Sequence, residues 1–81
     1  MTLSELLELS PLGYELIKNE CIKLRGKDRW ENCVKYDRSI ITLFRWNESK
    51  HSRMFHELYW NNDTTLLKQW EAKQIELQHN K

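Results

Sequence analysis

Apolar residues recur along the chain at helical spacing, in short blocks separated by polar breaks, and this pattern predicts a set of short helices. Thr2-Leu3-Ser4-Glu5 has capping-box spacing, with Thr2 as N-cap and Glu5 reaching back; it opens a short helix whose Leu3, Leu6 and Leu7 share a face. Ser10-Pro11 is a second start, a serine cap followed by a proline whose missing N–H costs nothing at the first helical position. From there Leu12, Leu16, Ile17, Cys21 and Leu24 line a broad apolar face, and Gly26 marks the end of the helix. Asp28-Arg29-Trp30-Glu31 repeats the capping logic and opens a third helix carrying Trp30, Cys33 and Val34.

Were that third helix continuous to Phe44, Asp37 would place a bare carboxylate in the middle of the buried stripe, which is costly. The pattern therefore predicts a break near Tyr36–Ser39, with Ser39 capping a short helix over Ile40–Phe44. The β-branched Ile40, Ile41 and Thr42 also suit a strand, but no second strand of comparable quality exists to pair with it, and a lone strand is not stable. Ser49 or Ser52 caps the next helix, whose stripe is Met54, Phe55, Leu58 and Tyr59. Asn61-Asn62-Asp63 forms a turn, and Asp63 or Thr64 caps a last helix in which Leu66, Leu67, Trp70 and Leu77 cluster while Ile75 faces away.

These elements imply an all-α fold, a compact bundle of four or five short helices in one domain over residues 1–81, with 78–81 frayed. The expected core is Leu16, Trp30, Val34, Phe44, Trp46, Phe55, Leu58 and Trp70. With 81 residues, only about 60% of the unfolded surface can be buried, so stability is marginal and self-association as a homo-oligomer is expected. The opening MTLSELLEL is acidic where a signal peptide would be basic, and the longest uncharged runs, such as SIITLF at 39–44, are too short to span a bilayer. Cys21 and Cys33 are the only cysteines, too few for a disulfide scaffold. A cytoplasmic setting with reduced thiols and no membrane association is expected.

Net charge is +1, but unevenly spread. Residues 1–17 carry Glu5, Glu8 and Glu15 against no Lys or Arg, whereas residues 18–53 carry ten Lys/Arg against five Asp/Glu. Within that basic middle, Lys23, Arg25, Lys27, Arg29, Lys35 and Arg38 are candidates for phosphate contact, with Trp30 and Tyr36 among them for stacking. The two helices meeting at Gly26 also loosely suggest helix-turn-helix. The near-zero net charge argues against a typical basic DNA-binding domain.

Other chemistry is thinly represented. Cys21, Cys33, His51 and His56 include one zinc-like histidine spacing, but the cysteine spacing is wrong for a zinc knuckle. They are read as two buried thiols and two surface histidines, so no metal and no cofactor are expected. No spacing marks a nucleophile with an oriented base, and there is no glycine loop for phosphate, so no catalytic residue is assigned. Trp60 falls off the apolar stripe of its helix and is left as an interface candidate. Tyr59, Arg53, His56 and Arg45 stand with it as the expected partner-binding set.

Residues 39–58 carry Ser39, Ile40 and Ile41, then Phe44-x-Trp46, Ser49, and finally Phe55 and Leu58. This order resembles a motif in small uncharacterised proteins of tailed bacteriophages: Ser, two apolars, Phe-x-Trp, a Ser or Thr, a Gly, then an aromatic pair before an apolar residue. Ser52 stands where Gly is usual and His56 where a second aromatic is usual. The resemblance covers about a quarter of the chain and implies phage origin without implying any activity. In physical terms the motif places a cap at Ser49, with Trp46 and Phe55 clamping the turn on either side. Together these readings lead to an expectation of a non-enzymatic phage accessory protein that binds and modulates a host protein, in counter-defence or host takeover. A small nucleic-acid-binding regulator is the alternative.

Overall fold

A computed structural model describes residues 1–43 and 48–79. Among them the chain forms five α-helices: α1 (Leu3–Leu9), α2 (Pro11–Arg25), α3 (Lys27–Lys35), α4 (Ser52–Asn61) and α5 (Thr65–His79), with a 3₁₀ turn at Ile40–Thr42. The architecture is all-α. Two expected core residues, Phe44 and Trp46, and the expected partner-binding residue Arg45 lie outside the described residues.

Local capping chemistry sets most helix boundaries. The Thr2 side chain accepts from the Glu5 N–H at 3.3 Å while the Glu5 carboxylate accepts from the Thr2 N–H at 3.2 Å, closing the capping box of α1. Ser10 ends α1 and caps α2, its Oγ accepting from the Gly13 N–H at 2.9 Å with Pro11 at the first helical position. Gly26 is the only residue between α2 and α3, at φ +97°. A side chain would strain that conformation, so glycine permits the one-residue junction. This moves the start of α3 from the expected Asp28 cap to Lys27, and Asp28 sits in the first turn, where its charge favours the helix dipole. Ser49 shapes the approach to α4, with its Oγ accepting from the His51 N–H at 3.1 Å and its carbonyl from the Ser52 N–H at 3.2 Å. The position of the α4 cap belongs to His51, which makes no side-chain capping bond; neither Ser49 nor Ser52 occupies it. At the start of α5 the Asp63 carboxylate accepts from the Thr65 N–H at 2.9 Å and the Thr64 carbonyl from the Lys68 N–H at 2.9 Å.

α2 packs against both α1 and α3, while α5 lies against α4 and α2. Ile17 and Cys21 of α2, Cys33 of α3 and Phe55 and Leu58 of α4 are fully enclosed. Trp30 is also buried, with its indole meeting the Tyr14 ring edge-on at 5.4 Å. Leu16 and Trp70 pack half-buried against this centre. Close approach of α2 to α5 depends on Gly13: a Cβ there would stand 2.9 Å from Leu67 Cδ1 and 3.0 Å from Ser10 Oγ. The buried Ser10 hydroxyl also donates to the Glu71 carboxylate, fastening the α1–α2 junction to α5.

Three expected apolar contacts are corrected. Val34 is 43% exposed, because α3 buries the edge carrying Trp30 and Cys33 and Val34 lies about 100° around from Cys33. Leu7 is exposed for the same reason, one residue beyond the buried Leu6. Leu77 is 54% exposed although it continues the stripe of Trp70. α4, at ten residues, spans about 15 Å and α5, at fifteen, about 22 Å, so the end of α5 overhangs the helix that would cover it.

The break after α3 takes an unforeseen form. Asp37 adopts φ +46° and turns its carboxylate back onto α1, accepting from the Ser4 N–H at 2.9 Å and the Ser4 hydroxyl at 2.7 Å. Beside it the Leu3 N–H donates to the Arg38 carbonyl at 3.2 Å and the Ile40 N–H to the Met1 carbonyl at 3.1 Å, so the N-terminal strand-like residues are stitched to residues 38–40. The Ser4 hydrogen bonds, side chain first and backbone second, hold the Asp37 carboxyl below its ordinary value of 3.8. A lowered folded value means the unfolded chain binds more protons in the window below 3.8, so this contribution is present above that window and is lost as pH falls through the folded value. Urea midpoints measured from neutral pH down through that window should therefore fall more steeply for the wild type than for Asp37→Asn. Parallel pH profiles would show that the Asp37–Ser4 clamp contributes nothing.

Candidate interaction surfaces

α4 sorts its side chains cleanly. Met54, Phe55 and Leu58 are buried on one side, which leaves Arg53, His56 and Trp60 exposed together on the other. Their spacing of three and then four residues keeps them within one strip of the helix surface. Trp60 is 57% exposed yet not loose: Tyr59 meets it edge-on with centroids 4.8 Å apart and planes at 90°, and the His56 ring lies tilted at 6.1 Å. Tyr59 is half-buried, so it anchors the indole from the core side. On the flank of the strip, Asn61 donates to the Glu57 carboxylate at 2.8 Å. His51 is half-buried at the start of the helix with its ring edge-on to Trp70 at 6.3 Å, so it belongs to the α4–α5 seam. Of the expected partner-binding set, Trp60, Tyr59, Arg53 and His56 thus come together, and Arg45 lies outside the described residues.

The basic candidates do not form one surface. Arg25 pairs with Glu48 at 3.5 Å, Lys27 with Glu31 one helical turn on at 3.9 Å, and Arg29 donates to the Thr42 carbonyl at 2.7 Å. Exposed pairs of this kind contribute little stability, but they occupy the cations locally. Lys23 is exposed on α2. Lys35 and Arg38 behave differently, their charged groups lying over the Tyr36 ring with Nζ at 5.4 Å and Cζ at 5.6 Å from its centroid. The exposed side of α3 carries Asp28 and Glu31 beside Lys27 and Arg29, a mixed surface that suits a groove-reading helix poorly.

Cys21 and Cys33 face the enclosed α2–α3 seam and are both fully buried free thiols. The Cys21 thiol reaches toward the Leu43 carbonyl at 3.9 Å. Burial, then the neighbouring Cys33, push its pKa up to about 11 against the pull of Arg29 and Arg25. Such a thiol is almost wholly protonated at neutral pH and is a poor nucleophile and a poor metal ligand. Among the described residues no group of three or more His, Cys, Asp or Glu is placed to hold a metal ion. Both cysteines should therefore resist an aromatic disulfide reagent in the native protein and react stoichiometrically once denaturant is added. Rapid native labelling of either would contradict the burial.

No helix among the described residues is long and apolar enough to cross a membrane. No family model, curated protein or solved structure matches the chain.

Proposed function

We propose that this chain is a non-enzymatic binding module that docks onto a protein partner through the exposed strip of α4, with Trp60 as the anchor. The observation that carries the reading is an indole 57% exposed but oriented by two neighbouring rings. A pre-oriented aromatic loses little rotamer freedom on binding, and Trp, Tyr and Arg are the side chains that most often dominate interfaces. Arg53 and His56 supply donors around the indole, as an interface rim requires. Burial keeps the Cys21 thiol protonated, and among the described residues no His, Cys, Asp or Glu group is placed to hold a metal ion, so the α4 strip is the feature best suited to act.

The motif at residues 39–58 supports a phage origin, and with it a host protein as the partner, modulated or inhibited during counter-defence or host takeover in the bacterial cytoplasm. In the folded chain its closing residues Phe55 and Leu58 serve the core and Ser49 shapes the turn, while the docking residues stand beside it. Affinity capture from a bacterial host lysate, with wild-type protein and Trp60→Ala side by side, tests this. A captured protein that is lost with the variant supports the docking surface, and equal capture by both removes it.

A further inference from the structure

We propose that Tyr36, with Lys35 and Arg38, forms a small stacking platform for single-stranded nucleic acid, separate from the α4 strip and independent of its reading. Tyr36 follows the last turn of α3 and is 58% exposed, the most open of the large hydrophobic side chains among the described residues. Both neighbouring cations lie against its ring, Lys35 Nζ at 5.4 Å and Arg38 Cζ at 5.6 Å. Arg25, Lys27 and Arg29 are each held by a carboxylate or a carbonyl, whereas among the described residues Lys35 and Arg38 have no carboxylate partner. The acidic residue between them, Asp37, is drawn back onto α1 by its two bonds from Ser4. Those bonds, with the Arg38 N–H donating to the Cys33 carbonyl at 2.9 Å, also hold the turn in one shape.

The ligand this arrangement fits must present a flat π face and anionic groups a few ångströms from it. A single strand offers both at every nucleotide, with a base to lie on the phenol and flanking phosphates for the two cations. A duplex hides its base faces, and an acidic peptide lacks regularly placed rings. Opposing forces are present as well: the Asp37 charge and the carbonyl end of α3 both repel phosphate. The platform therefore binds weakly, through about two phosphate contacts, for which single-strand affinity should fall with salt at a log–log slope of about −1.4.

The test is fluorescence anisotropy of a labelled oligothymidylate titrated with the full chain across a salt series. Binding at low salt with that shallow slope is expected, weakened about tenfold or more by Tyr36→Ala. Tyr36→Phe should retain binding, the Lys35→Gln/Arg38→Gln double variant should flatten the salt slope, and Trp60→Ala should leave both unchanged. Tyr36 is exposed, so circular dichroism of Tyr36→Ala should match the wild type and separate lost binding from lost fold. No binding at low salt overturns the proposal. So does equal affinity of wild type and Tyr36→Ala, or a polyglutamate chain that binds as tightly as the oligonucleotide and with the same dependence on Tyr36.

Discussion

Truncating Phe55 to alanine is expected to lower the unfolding free energy by about 3–5 kcal/mol. The ring is fully enclosed at the middle of α4, in the same core as Ile17, Cys21 and Leu58. Removing it deletes the transfer energy of the side chain and leaves a cavity that these neighbours cannot fill without moving. At about 0.05–0.15 kcal/mol per residue, a chain of 81 residues has only about 4–12 kcal/mol in total, so the variant loses a large part of its stability and at the lower end does not fold. Thermal melts should show a midpoint lowered by more than about 12 °C, since each kcal/mol shifts a domain of this size by about 4–8 °C. Leu77→Ala is the matching control: the same stripe logic names Leu77, but it stands exposed on the overhang of α5, and its loss should stay within about 0.5 kcal/mol. Comparable melts for the two variants would overturn the assignment of the core.

Trp60→Ala should do the reverse. The indole contributes its contacts to Tyr59 and His56 at the surface, so stability should change by no more than about 1 kcal/mol. Partner affinity should fall by at least about 2 kcal/mol, or about thirtyfold, as expected for a tryptophan at the centre of an interface. The opposite behaviour of Phe55 and Trp60, five residues apart on one helix, separates what the two sides of α4 do.

Much of this fold was legible because its boundaries are made of local chemistry. The Thr2–Glu5 box, the Ser10–Pro11 start, Gly26 at the end of α2 and the Asp63–Thr65 bond ahead of α5 all act within three residues. Asp37 shows both how far such reasoning reaches and where it stops. Its charge correctly excluded a continuous helix from Trp30 to Phe44, yet its partner Ser4 lies 33 residues away, and no local pattern reports that pairing. The Ser10–Glu71 bond, across 61 residues, is invisible for the same reason.

Apolar spacing was less decisive at the edges of short helices. Leu7 and Val34 each sit next to a true contact position, where one step around the helix decides between core and solvent, whereas Leu77 lies on the exposed end of α5. At the candidate surfaces, Trp60 was legible as the residue left off the stripe, whereas the division of the basic residues was not. Glu48 and the Thr42 carbonyl meet Arg25 and Arg29 only in the folded chain, where no local pattern reports the pairing.

The proposed docking role of α4 is tested most directly by measuring how tightly a captured host protein, once purified, binds the wild type and Trp60→Ala in parallel titrations. The account predicts an affinity loss of at least about thirtyfold for the variant, with an unchanged circular dichroism spectrum and a nearly unchanged melt. Equal affinities, with both proteins folded, would contradict it.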